Sequence, residues 1–302
     1  MKSRFRYLLL LVGLIILAIL LRNTDFETWQ NTILKASLPL VILAALSWAI
    51  VLLLATYRFK GFLHTDIPFL KLLVLYNYGF LFSLASGVSI AGIGARIGLL
   101  KMERLSLSES SAAVSSEMVY TMVTALVISI ISLFFYGSLL FDYIRDILTL
   151  RNILLVSSLV IILVVIIFLL RHKQFIYNYK LVLISSFTES NAVKNILITI
   201  AIRFLESLSV FFLFRSVDCT VSFGLILFGM NLSLVLSIFT FIPGGIGIRE
   251  GIQASVYSLS AISFSTAFSL SIVSRIITII VSIILIFIAK LIDFSVLSLN
   301  RL

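Results

Sequence analysis

The stretches AGIGARIG, residues 91–98, and GGIGIREG, residues 244–251, hold seven of the fourteen glycines of this sequence, and each carries an arginine. Glycine destabilises a helix by about 1 kcal/mol relative to alanine, and an arginine near the bilayer centre costs about 2.5–3.5 kcal/mol. We therefore expect interactions in the folded protein that offset the glycine penalty and the cost of the buried arginine. Five of the eight aligned positions are identical, namely Gly92 with Gly245, Ile93 with Ile246, Gly94 with Gly247, Arg96 with Arg249 and Gly98 with Gly251.

The second window lies in the segment FIPGGIGIRE, residues 241–250, where a continuous helix is not expected. Pro243 removes a backbone donor, and Gly244 and Gly245 follow it directly. Broken backbone at membrane depth is tolerated only where it is buried in protein or lines a watery cavity, because hydrocarbon cannot satisfy the freed N–H and C=O groups. We therefore predict that both windows are the tips of re-entrant helical hairpins.

The composition around the windows is that of a polytopic membrane protein. Of 302 residues, 61% are apolar and 12% charged, and the mean hydropathy is +1.21. Soluble domains average about 45–50% apolar and about 25% charged residues. We expect one transmembrane domain over residues 1–302 and no soluble domain beside it. The single cysteine, Cys219, excludes an internal disulfide and a cysteine-rich metal site.

The apolar runs predict an all-α protein with six full spans and two re-entrant hairpins. A membrane-spanning helix needs about 20 mainly apolar residues. The predicted spans are residues 5–21, 37–57, 108–137, 152–170, 194–214 and 264–290, and the predicted hairpins are residues 68–98 and 220–260.

Basic residues orient this arrangement in the membrane. With the N-terminus in the cytoplasm, fourteen Lys and Arg residues, Arg58 among them, fall in predicted cytoplasmic segments and five in outer segments. The basic residues behind the net charge of +10 are thus concentrated on one side of the membrane. This distribution does not indicate nucleic-acid binding. We predict a multi-pass protein of the cytoplasmic membrane with both termini inside. The halves 37–137 and 194–290 would then be inverted repeats, one hairpin entering from each face.

Several ionisable residues lie well inside the predicted spans. Glu117 is about ten residues into its helix, which places it ~15 Å deep. Arg275 lies near the middle of the last span, and Arg203 and Glu206 are spaced to pair on one helical face. Such residues usually face a bundle interior and mark functional sites. One interpretation is structural ion pairing among Glu117, Arg249, Glu250 and Arg275; the other is a polar cavity in which Arg96, Arg249 and Arg275 bind an anion such as phosphate.

With these residues assembled, the sequence resembles the lysylphosphatidylglycerol synthetase transmembrane-region family, also described as flippase-like. The strongest match is FIPGGIGIREG, which is similar to the family's Pro-Gly-Gly-x-Gly-x-Arg-Glu signature at Pro243, Gly244, Gly245, Gly247, Arg249 and Glu250. Weaker matches are Gly94, Arg96, Glu117, Glu206 and Arg275. The first window lacks the proline and acidic residue common in the family, and Met118 follows Glu117 where an arginine is common.

The resemblance implies movement of a phospholipid or polyprenyl-linked lipid between leaflets. Two-part members of the family carry a soluble aminoacyl-transferase domain after the membrane part, and this sequence ends at Leu302, so we do not expect an enzyme that lysylates lipid. The alternatives are a secondary transporter of a small anionic solute and a non-catalytic membrane partner of a lipid-modifying or glycosyl-transferring enzyme. We expect a membrane lipid as ligand, with no cofactor, metal or nucleic acid, and a homo-oligomer is possible on this sequence. The predicted substrate-binding residues are Arg96, Glu117, Pro243, Gly244, Gly245, Gly247, Arg249, Glu250 and Arg275, with Arg203 and Glu206 as secondary candidates.

Overall fold

The computed structural model describes residues 36–63, 66–85, 89–103, 105–145, 192–239 and 247–299. These residues form eight α-helices and no strand. The helices are α1 (Leu38–Lys60), α2 (Phe69–Ala85), α3 (Ser89–Met102), α4 (Leu107–Arg145), α5 (Ala192–Ser216), α6 (Phe223–Phe239), α7 (Ile248–Tyr257) and α8 (Phe264–Leu299), with a 3₁₀ turn at Ser258–Ser260.

Four of the helices are long and apolar enough to cross a bilayer: α1, α4, α5 and α8. The 23 residues of α1, at 1.5 Å per residue, cover roughly the ~30 Å of a hydrocarbon core. Large apolar side chains also lie on the outside, as on α4, where Phe134 is 88% exposed and Phe135 is 71% exposed. These features are those of a multi-pass membrane protein. Four of the six predicted spans are confirmed as apolar helices, and the predicted spans at 5–21 and 152–170 lie outside the described residues.

Two pairs of shorter helices lie between the long ones, and the members of each pair pack against each other. In the first pair, the side chain of Arg96 on α3 lies against Gly79 on α2. In the second pair, Gln253 Nε2 on α7 donates a hydrogen bond to Ser233 Oγ on α6, 3.0 Å away. In the part of the chain described, α2 is therefore packed on α3, and α6 on α7.

The second break falls where the sequence predicts it. Helix α6 ends at Phe239, and α7 begins at Ile248 after Gly247. Gly247 has a φ of 83°, a conformation that disfavours any residue with a Cβ. Pro243, Gly244 and Gly245, at the predicted tip, lie outside the described residues.

The first window requires a correction. Residues 91–98 were predicted as the tip of a hairpin, but they lie inside α3, which begins at Ser89. Ile93 and Ile97 on this helix pack against the apolar cluster around Leu72 and Leu100. This burial outweighs a glycine penalty of only about 1 kcal/mol per residue, so the helix persists through the window.

Helix α1 packs extensively against α5. Small and β-branched residues let the two helices approach closely, and Ser209 Oγ of α5 donates to the Ala44 carbonyl of α1 over 2.8 Å. In addition, α1 contacts α2, and α5 contacts α6. Helix α3 contacts α4, and α7 contacts α8. Helix α2 also contacts α8, and α6 contacts α4, so each pair is joined to the long helix of the other half.

Candidate functional site

The carboxylate of Glu117 on α4 receives hydrogen bonds from three other helices. Arg58 Nη2 of α1 lies 3.1 Å from Oε1, and the Tyr76 hydroxyl of α2 lies 2.6 Å from the same oxygen. Arg96 Nη1 of α3 lies 2.5 Å from Oε2. Glu117 is only 4% exposed, so a charge that would be costly alone is surrounded by donors.

Local packing aims Arg96 at this carboxylate. The stem of Arg96 crosses α2 at Gly79, where a Cβ would collide with its Cγ atom. One turn earlier on α2, the ring of Tyr76 lies 5.4 Å from the Arg96 guanidinium carbon, within cation–π range. A glycine and an aromatic residue on α2 therefore form the groove that holds the guanidinium.

Arg58 was not among the predicted site residues. It was counted with the cytoplasmic charges, because it follows an apolar run and stands close to Lys60. The structure places it in the last turns of α1 at 2% exposure, where Nη1 donates to Thr199 Oγ1 of α5 over 2.7 Å. A single sequence cannot separate a buried arginine at a span's end from an interfacial one, since both occupy the same position in the pattern.

Tyr76 was also missed. It lies in an ordinary apolar run beside other aromatic residues, and its hydroxyl becomes notable only when the fold sets it against Glu117. A buried tyrosine usually finds a partner for its O–H, which is the one general signal that could have drawn attention to it.

In the second half, the carboxylate of Glu250 joins α7 to α8. Its Oε1 atom lies 2.7 Å from Arg275 Nη1. Its Oε2 atom accepts a hydrogen bond from the Gly247 backbone N–H over 2.8 Å, which caps the beginning of α7. Glu250 is 3% exposed, so this pair too lies inside the protein.

Helix α5 carries the predicted local pair. Arg203 Nη1 and Glu206 Oε2 are 2.9 Å apart, and both residues are 7% exposed. Arg203 lies one turn beyond Thr199 and close enough to Arg58 and Arg249 for their charges to interact. This polar face of α5 thus lies between the Glu117 group and the Glu250 group.

Arg249 differs from the other arginines. It lies close enough to Glu206 and Glu250 for their charges to interact. Within the described ranges, however, it forms no ion pair, whereas Arg275 pairs with Glu250 and Arg203 with Glu206. Arg249 is only half-buried, so part of its side chain remains accessible.

The described interior therefore carries five arginines and three glutamates, an excess of two positive charges. Among the described residues, the Nε atoms of Arg58, Arg96 and Arg203 are also buried without an acceptor. Spare guanidinium donors and uncompensated positive charge favour an anion. No group of three or more His, Cys, Asp or Glu residues that could hold a metal occurs in the part of the chain described.

Residues 7–286 match the family described as Lysylphosphatidylglycerol synthase TM region. The chain belongs to this family. The family is described as the transmembrane region of a lysylphosphatidylglycerol synthase. Membership is consistent with a function related to membrane lipids. A search of the curated proteins found no match.

Proposed function

We propose that this protein is a flippase or scramblase that moves a phospholipid or polyprenyl-linked lipid between leaflets. The headgroup phosphate of the lipid would bind the arginines between the two halves, while the lipid tails stay in the bilayer. The observation that carries the proposal is the excess of two positive charges in the described interior, with Arg249 forming no ion pair there. Charge of this sign costs several kcal/mol in a low-dielectric interior unless an anion compensates it.

The proposal includes an inverted repeat in which α1–α4 correspond to α5–α8 and both short pairs are re-entrant. The pattern of helix contacts supports it. The contacts α1–α2, α3–α4 and α2–α8 have the counterparts α5–α6, α7–α8 and α6–α4. The central contact α1–α5 is its own counterpart, as a two-fold axis requires.

Orientation is part of the same proposal. The excess of basic residues in the predicted cytoplasmic segments supports a place in the cytoplasmic membrane with both termini inside. One helical pair would then enter from each face. Movement of lipid would be downhill or coupled to an ion, since the sequence has no nucleotide-binding P-loop. We propose no enzymatic step for the chain itself.

Liposomes containing the purified protein and fluorescent phosphatidylglycerol test the proposal. The initial rate at which an external quencher reaches inner-leaflet lipid measures transfer. Arg249→Gln should lower this rate by about tenfold or more, because a hydrogen bond to a charged group contributes about 1.5–3 kcal/mol. Arg215→Gln is the matched control, because Arg215 is an exposed arginine in the last turn of α5.

Equal transfer by the wild type and Arg249→Gln would overturn the proposal. The same liposomes, loaded with radiolabelled phosphate, measure flux of a soluble anion. Phosphate flux that depends on Arg249, without any lipid transfer, would replace the lipid carrier by a transporter of small anions.

A further inference from the structure

The groups around Glu117 have the arrangement of a site for an oxyanion. Two guanidinium groups and one hydroxyl, from three helices, donate to a single carboxylate at distances of 2.5–3.1 Å. Proteins recognise phosphate and carboxylate with the same fork of arginine donors. In this protein the occupant is a side chain of α4.

The donors exceed what the carboxylate can accept. Arg58 and Arg96 bring two positive charges to one negative charge, and the Nε atoms of both are buried without an acceptor in the described chain. A phosphate group has four oxygens against the two of a carboxylate. Inorganic phosphate or a phosphomonoester can also carry a second negative charge, whereas a phosphodiester headgroup carries one. A phosphate group would therefore satisfy more of these donors than Glu117 does.

We propose that Arg58, Arg96 and Tyr76 form a binding site for a phosphate group, and that Glu117 is the internal anion that occupies this site between substrates. The inference rests on the proposed function, which it deepens by giving the substrate phosphate a particular set of ligands. It adds Arg58 and Tyr76 to the candidate residues and changes the role of Glu117 from a ligand of the substrate to a competitor.

The different exposure of Arg58 and Arg96 predicts the order in which a phosphate replaces Glu117. The Arg96 side chain is 20% exposed, whereas that of Arg58 is 2% exposed. A phosphate therefore meets Arg96 first and displaces Glu117 from it, while Arg58 remains held by Thr199. When the phosphate leaves, Glu117 returns, so the arginines are compensated at every stage.

Removal of the competitor tests this assignment. The full chain is placed in lipid nanodiscs of phosphatidylcholine, and its unfolding temperature is measured at increasing concentrations of inorganic phosphate. In Glu117→Gln the phosphate concentration giving half the maximal rise should be about tenfold lower or more, because a carboxylate a few ångströms away no longer repels or displaces the anion. Glu103→Gln is the matched control, since the half-buried Glu103 pairs with the exposed Lys71 away from this site, and it should behave as the wild type.

Two further variants keep the test decisive if Glu117→Gln does not fold. Glu117→Asp keeps the charge on a shorter side chain and should tighten phosphate binding by a smaller factor. Tyr76→Phe, in the background of whichever Glu117 variant folds, should weaken binding several-fold because one donor is lost. If both Glu117 variants bind phosphate no more tightly than Glu103→Gln does, the assignment is wrong.

Nanodiscs that contain phosphatidylglycerol distinguish a lipid headgroup from free phosphate. A response of Glu117→Gln to both anions supports the site with a lipid as its ligand. A response to inorganic phosphate alone supports the site but contradicts the lipid carrier. If the wild type transfers lipid and neither Glu117 variant binds phosphate more tightly, the assignment fails and the proposed function stands.

Discussion

The carboxylates of Glu117 and Glu250 each connect a short helical pair to a long helix, but the signs of the charges are reversed. In the first half, the pair supplies Arg96 and the long helix supplies Glu117. In the second half, the pair supplies Glu250 and the long helix supplies Arg275. Either order compensates the buried charges, since an ion pair is indifferent to which helix carries which partner.

The surroundings of the two carboxylates are less alike. Glu117 receives two arginines and a tyrosine from three helices. Glu250 forms an ion pair with one arginine, Arg275, and accepts a hydrogen bond from the backbone N–H of Gly247. The second of these contacts lies at the beginning of its own helix. The first site is thus built by tertiary contacts, and the second partly by the local geometry at the beginning of a helix.

Replacing each carboxylate by alanine should separate the two sites most strongly. Glu117→Ala should lower the free energy of unfolding by about 3–5 kcal/mol, because it leaves two guanidinium groups, including the buried one of Arg58, without their anion. Glu250→Ala should cost less, about 2 kcal/mol, because it removes the anion from only one guanidinium group, that of Arg275, and the lost cap contributes about 1 kcal/mol. Unfolding in mixed micelles with increasing dodecyl sulfate measures both.

The surface pair of Lys71 and Glu103 supplies the control for this series. Glu103→Ala should change the free energy of unfolding by less than about 1 kcal/mol, because the partner, Lys71, is exposed and the pair is screened by water. Equal costs for Glu117→Ala and Glu250→Ala would remove the distinction between the two sites.

Glycine substitutions should change the free energy of unfolding by a smaller amount. They test which glycine near the first window is needed to position Arg96. Gly79→Ala should destabilise the protein by about 1–3 kcal/mol, because the new Cβ would overlap the stem of Arg96. Gly94→Ala should be neutral or stabilise by up to about 1 kcal/mol, since a Cβ there meets no atom within 4 Å. The same dodecyl sulfate titration compares the two. If Gly94→Ala costs as much as Gly79→Ala, the groove on α2 is not what positions Arg96.

Cysteine labelling should leave stability almost unchanged and test whether the two pairs enter from opposite faces. Cys219 lies just before α6, and Asp66 lies just before α2 at 91% side-chain exposure. A membrane-impermeant maleimide should label Cys219 in intact cells. Asp66→Cys, made in a Cys219→Ser background, should be labelled only from the cytoplasmic side. Labelling of both positions from one side would contradict the inverted repeat.

The rate of labelling at Cys219 should also depend on pH. Burial and the neighbouring Asp218 raise the pKa of its thiol above the usual value. Since the thiolate is the reactive form, a raised pKa means little thiolate at neutral pH and a rate that rises as the pH is increased. Asp66→Cys, being exposed, should label faster at neutral pH, and the reverse order would contradict the burial of Cys219.

The membrane class, the four long apolar helices and the break before α7 follow from the sequence alone, because hydropathy, proline and glycine act locally along the chain. So does the Arg203–Glu206 pair, whose spacing of three residues suffices on one helix. The path of α3 through the first glycine window and the burial of Arg58 emerge only from tertiary packing. Those outcomes depend on Leu72, Glu117 and Thr199, residues distant in sequence that the fold brings together, and no local pattern encodes such contacts.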